Sequence, residues 1–120
     1  MNPFNKNGGP IFAEVSAGQA QTGSYDLKLW EADKNVIVKR WEGDFLNPDD
    51  DKYKLPGTNE ENIKRRVQAV VVIALLAPID RYSATLTITQ DGNELDKVTI
   101  ANQTNDPSVI LNLYTTLEQA

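Results

Sequence analysis

Two tryptophans, Trp30 and Trp41, are the residues of this chain best suited to chemistry at a surface. An indole offers a large apolar face at low conformational cost, which suits it to stack on a sugar ring or to anchor a protein partner. Asp26, Lys28 and Lys39 lie close by in sequence, and their charged groups can orient a ligand through hydrogen bonds. Ser24 to Glu31 alternates, with Tyr25, Leu27 and Leu29 at one parity and Asp26, Lys28 and Trp30 at the other, the period of a half-buried strand. Val36 to Glu42 follows across Ala32-Asp33-Lys34-Asn35, a connection of hairpin length. With Glu31 opposite Val36, Trp30 pairs with Ile37, Lys28 with Lys39 and Asp26 with Trp41. Leu29 then meets Val38, Leu27 meets Arg40 and Tyr25 meets Glu42. This register puts both indoles on one outward face among Asp26, Lys28 and Lys39, although a slip of one residue changes every pair. In the competing reading, the long connection after Gly43 or the N-terminal segment folds over this face and buries both indoles as core, where tryptophan is commonly found.

Other constellations carry less. Asp44, Asp49, Asp50 and Asp51 bring to one loop the oxygen ligands that Ca2+ takes, which makes a C2-like or lectin-like Ca2+-dependent domain the weaker alternative. The loop lacks EF-hand spacing and reads equally as a solvated acidic turn, so no metal site is assigned and no cofactor is expected. Lys64, Arg65 and Arg66 form the basic cluster of the chain. On a strand their side chains alternate and do not face one ligand, so pairing with the acidic loop upstream is the expected role. Paired carboxylates, as in glycoside hydrolysis, are not singled out by any spacing. Gly8-Gly9-Pro10 lacks the Lys-Ser/Thr sequel of a phosphate loop. The chain contains neither His nor Cys, which removes Ser-His-Asp and Cys-His nucleophiles, zinc-thiolate sites and disulfides. It reads as a non-enzyme, and its cysteine usage leaves the compartment undetermined.

These residues must be positioned by strands. A chain of 120 residues, 40% hydrophobic and 24% charged, has the profile of one folded domain with its own core. Twelve basic residues against 17 acidic give a net charge of -5, which repels a phosphate backbone and makes nucleic acid an unexpected partner. The longest apolar run, Val67 to Ala77, is interrupted by Gln68 and falls short of the roughly 20 residues that span a bilayer. Residues 1–10 offer no h-region for an export signal and read as a flexible arm before a single domain at 11–120.

Eight strands are expected: Ile11 to Ala17, Ser24 to Glu31, Val36 to Glu42, a short edge near Tyr53 to Leu55, one within Val67 to Ala77, Ser83 to Gln90, Glu94 to Ala101, and Val109 to about Leu117. Thr58-Asn59-Glu60-Glu61 spells a capping box and leaves open a helix from Glu60 to Ala77. The β-branched Val67, Val70, Val71, Val72 and Ile73, on a run apolar at both parities, favour a central strand preceded by one helical turn. Asp91-Gly92-Asn93 is a hairpin signal. Strands at this spacing without βαβ units imply an all-β, two-sheet antiparallel β-sandwich of jelly-roll or immunoglobulin-like type. The function expected on such a scaffold is a non-catalytic binding module that takes a carbohydrate or a protein surface at Trp30 and Trp41. The alternative is a structural subunit of a homo-oligomeric or multiprotein assembly, joined by the same face or by the Val109 to Leu117 edge.

Overall fold

Period-two alternation is realised on almost every segment that carries it. The computed structural model describes residues 2–18, 22–45, 51–75 and 81–120. Its strands are β1 (Ile11–Ala17), β2 (Thr22–Trp30), β3 (Ile37–Asp44), β4 (Lys52–Lys54), β5 (Arg66–Ala74), β6 (Arg81–Gln90), β7 (Asn93–Gln103) and β8 (Ser108–Thr116). They form two four-stranded sheets, ordered β4-β1-β6-β7 and β3-β2-β5-β8, with every pairing antiparallel. The protein is an all-β, two-sheet sandwich. Because β1 and β2 lie in opposite sheets, the order differs from that of an immunoglobulin constant domain, whose first two strands share a sheet.

The core lies between the sheets. Ile11, Ala13 and Val15 of β1, with Ala84, Leu86 and Ile88 of β6, face Tyr25, Leu27 and Leu29 of β2, Val67, Ala69, Val71 and Ile73 of β5, and Leu111 and Leu113 of β8. Each strand turns one parity inward, as half-buried antiparallel sheets require. No helix of the described residues is long and apolar enough to cross a membrane.

The capping box at Thr58 forms, but it closes a turn instead of starting a helix. Thr58 N–H donates to Glu61 Oε1 at 2.9 Å and Glu61 N–H donates to Thr58 Oγ1 at 3.1 Å. The turn stops where Lys64 takes a φ of 65°, a left-handed conformation that cannot propagate a right-handed helix. From Arg66 the β-branched run continues as β5, held between β2 and β8. At the β6–β7 hairpin, Asp91 and Gly92 both have positive φ, 52° and 76°, the requirement of a type I′ turn.

One expectation is corrected here: the first ten residues do not form a detached arm. Phe4 is fully buried, its N–H donates to Glu118 O, and its carbonyl accepts from Ala120 N–H. Gln90 Nε2 donates to the carbonyls of Asn5 and Gly9, and Asn59 Nδ2 donates to that of Gly9. An aromatic side chain in the core and satisfied backbone groups fasten this segment to the sandwich.

Candidate functional site

One residue decides where the indoles go. The β2–β3 hairpin begins in the expected register, with Trp30 opposite Ile37, but Leu29 pairs with Lys39 and the register shifts between Leu29 and Trp30. Val38 is the extra residue of a β-bulge, which moves every later position of β3 to the other face. Arg40 therefore lies opposite Lys28, Trp41 opposite Leu27, and Glu42 opposite Asp26. The expected common face of Trp30 and Trp41 is not formed. Lys39 likewise leaves the proposed group, registering with Leu29 instead of Lys28.

Trp41 closes one side of the sandwich. It packs against the core and stacks on Tyr53 of β4, with ring centroids 5.4 Å apart and planes 26° from parallel. The competing reading, that the connection after Gly43 folds over the indoles, thus describes Trp41 and fails for Trp30. Behind this stack the Tyr25 hydroxyl donates to Asp51 Oδ1 at 2.7 Å and hydrogen-bonds the Tyr53 hydroxyl. Burial first, then the bonds to Tyr53 and Asp51, push the Tyr25 phenol well above its ordinary range. Gly43 lies opposite Tyr25, and a Cβ there would overlap the Tyr25 hydroxyl. Asp51 is buried in this cluster, and Asp44 ends β3 opposite Ser24. Asp49 and Asp50 lie outside the described residues, among which no group of three His, Cys, Asp or Glu side chains could hold a metal ion.

Asp26, Lys28 and Trp30 remain together on the outward face of the β3-β2-β5-β8 sheet. There Arg40 makes a two-pronged contact with Asp26, Nε to Oδ1 at 2.9 Å and Nη2 to Oδ2 at 2.8 Å, and also reaches Glu42 Oε1 at 2.7 Å. Lys28 Nζ lies 3.6 Å from Asp26 Oδ2. The Arg40 hydrogen bonds hold the Asp26 carboxyl below the usual carboxylate range, with the Lys28 charge acting in the same sense and burial opposing.

Across the strands from Trp30, the register lines up side chains that sequence reading had not joined. Trp30 pairs with Arg66 and Lys28 with Gln68 on β5, and these in turn meet Thr116 and Tyr114 on β8. Trp30 Nε1 donates to Gln68 Oε1 at 2.9 Å, and Gln68 Nε2 donates to Asn112 Oδ1 at 3.0 Å. The Arg66 guanidinium sits 5.7 Å from the Trp30 ring centroid, a cation–π contact worth about 0.5–1 kcal/mol at an exposed site. The same guanidinium donates to the carbonyls of Glu31 and Lys34, at 3.2 Å and 2.8 Å from Nη2, and so pins the hairpin loop beside the indole. Trp30, Asn35, Arg66, Gln68, Tyr114 and Thr116 line an open recess of about 310 Å³, at the small end of ligand sites. Two signals in the sequence pointed here: Gln68 interrupting the apolar run, and Tyr114 at the outward parity of β8.

The basic cluster separates as its alternation implies. Lys64 pairs with Glu118, and Arg65 Nε pairs with Glu31 Oε1 at 2.7 Å, so the expected pairing with the acidic loop is not what holds them. Arg66 alone reaches the recess. Comparison with protein-family models, with curated proteins and with solved structures found no match, and the reading of this face rests on its own geometry.

Proposed function

We propose that this chain is a non-catalytic binding module whose ligand site is the recess on the outward face of the β3-β2-β5-β8 sheet. One observation carries the reading: Trp30 and Tyr114 stand on either side of the Gln68 amide on a solvent-open sheet face, beside the Asn35 amide and the Arg66 guanidinium. Planar aromatic faces bind the apolar face of a ring, and the amides and guanidinium meet a polar rim with donors and acceptors. A sugar ring has both surfaces, and a recess of about 310 Å³ suits one or two rings better than a broad protein surface. Trp30 is the platform, Tyr114 the second wall, and Gln68 and Asn35 the orienting groups. Lys28 and Asp26 border the site through their ion pairs with each other and with Arg40.

The test uses Trp41→Phe, which leaves Trp30 as the single indole, titrated with neutral and acidic oligosaccharides while its emission is followed. A saturable change that disappears in Tyr114→Ala, with the melting temperature unchanged, is the expected result. A panel that leaves the emission unmoved, or binding by the unaltered protein that survives Trp30→Ala, removes the recess as a glycan site.

A further inference from the structure

Sheet edges expose rows of unpaired N–H and C=O groups, and proteins protect them with charges, bulges, shortness or a covering segment. Three of the four edges here are protected. β3 carries Lys39, Arg40, Glu42 and Asp44 and is bulged at Val38. β4 is only three residues long, two of them lysines. β7 carries Glu94, Asp96 and Lys97, is bulged at Leu95, and accepts a hydrogen bond from Asn2 N–H at the Leu95 carbonyl. β8 is different. Its nine residues, Ser-Val-Ile-Leu-Asn-Leu-Tyr-Thr-Thr, include no charge, no proline and no glycine. It pairs with β5 in unbroken register, and among the described residues it pairs with no other strand.

We propose that the outer edge of β8 pairs antiparallel with the same edge of a second copy across a twofold axis at Asn112, joining two four-stranded sheets into one of eight strands. Asn112 is the middle residue of the strand, so this register overlaps both copies along their full length. It sets Ser108 against Thr116, Ile110 against Tyr114, and Asn112 against itself. Ile110 and Tyr114 are the most exposed large hydrophobic side chains described, at 73% and 69%. The pairing covers both, twice, with the aromatic and β-branched cross-strand contact that stabilises antiparallel sheets. A twofold interface must be self-complementary, and β8, which carries no charged residue, sets no like charges against each other across the axis. Each copy bears a net charge of -5, so a charged edge would set like charges face to face. Of the acids near the seam, Asp106 and Glu118 lie beyond the two ends of β8, Glu118 is held by Lys64, and Asp96 of β7 accepts a hydrogen bond from Thr115 Oγ1 of β8 at 2.5 Å.

The seam is about 30 Å long at the antiparallel rise and, at a thickness of about 10 Å, covers about 300 Å² per copy before flanking side chains are added. That is less than the about 800 Å² per partner of a standard stable interface, so the dimer is reversible and concentration-dependent. Added salt tightens it by screening the repulsion between two acidic copies.

Sedimentation from roughly 10 μM to 1 mM reads the association, and a cross-link reads the register. The chain has no Cys, so Asn112→Cys introduces a single thiol that meets its own copy across the axis. Directly opposed residues of antiparallel strands have Cα atoms about 4.5–5.5 Å apart, within disulfide range. The expected results are a disulfide-linked dimer from Asn112→Cys, little from Lys39→Cys on the β3 edge, and at least tenfold weaker association in Ile110→Lys. Asn112→Cys linking no better than Lys39→Cys, a monomer throughout the concentration range, or undiminished association in Ile110→Lys overturns the pairing. Tyr114 lines the recess and Asn112 accepts from Gln68, whereas Ile110 does not line it, so ligand is titrated against Ile110→Lys, in which failure of the dimer and failure of ligand binding are read separately.

Discussion

Asp26 shows how a single residue on the candidate face is tied to stability. Its side chain accepts two hydrogen bonds from Arg40 and faces Lys28, and its carboxyl titrates below the ordinary 3.8. A carboxyl whose folded pKa is depressed binds fewer protons folded than unfolded. Its stabilising contribution is therefore present above the unfolded value and is lost as pH falls through the folded one. Asp26→Asn removes this contribution, so the urea midpoint of the variant falls less steeply between about pH 5 and pH 3 than that of the parent. Parallel curves would show that the Arg40 contact is fully screened by solvent. Tyr25 has the opposite sign. Its folded pKa is raised by burial, so its contribution is intact at neutral pH and is lost only in strong base, above the ordinary phenol range.

At the scale of elements, Val38 is the hinge of the site. As the extra residue of β3 it puts Trp41 on the Tyr53 side of the sandwich and leaves Trp30 outside. Deleting Val38 removes the bulge but keeps Lys39 opposite Leu29 and Trp41 opposite Leu27, so Trp41 keeps its inward side and its stack on Tyr53. The expected cost is about 1 kcal/mol, the size of a typical single change, with tryptophan emission and its quenching by iodide unchanged. Emission shifted to the red and readily quenched would show that β3 slips by one residue and turns Trp41 outward. The capping box at Thr58 gives the complementary lesson. Its local hydrogen bonds form as the sequence spells them, yet tertiary pairing with β2 and β8 takes the residues from Arg66 onward into a strand.

For the whole molecule, the N-terminal segment joins the open end of the sandwich. Phe4 is fully buried, and its backbone links to Glu118 and Ala120, while Asn2 reaches β7 at Leu95. Phe4→Ala leaves a cavity between the two sheets and costs about 3–5 kcal/mol, a large share of the 5–15 kcal/mol by which a domain is stable. Chemical denaturation checks this directly. A loss below about 1 kcal/mol, the cost of a typical point mutation, would show that the segment only rests on the surface. Among the described residues, none covers the outward face of the β3-β2-β5-β8 sheet in this way. Val70 and Val72 of β5 are apolar on that face as well, and Val72 is 39% exposed, so of the two apolar parities of the central run only one is fully buried.

The eight strands, the Asp91-Gly92 turn and the two-layer class were legible in the sequence, because period-two alternation and local turn chemistry act between near neighbours. The sequence also placed Asp26, Lys28 and Trp30 at one parity of β2, because parity within a strand needs no knowledge of its partner. The structure decided everything that depends on register and strand order. A bulge is a one-residue event with no strong signature of its own, yet it sent Trp41 and Lys39 to the other face. Arg66, Gln68 and Tyr114 meet Trp30 only because β5 lies beside β2 and β8 beside β5, neighbours separated by long stretches of chain. Phe4, read from a Gly- and Asn-rich stretch as part of an arm, is core because the far ends of the chain meet. Contacts of this kind are set by which buried faces fit together across the whole molecule, and local pattern carries no record of them.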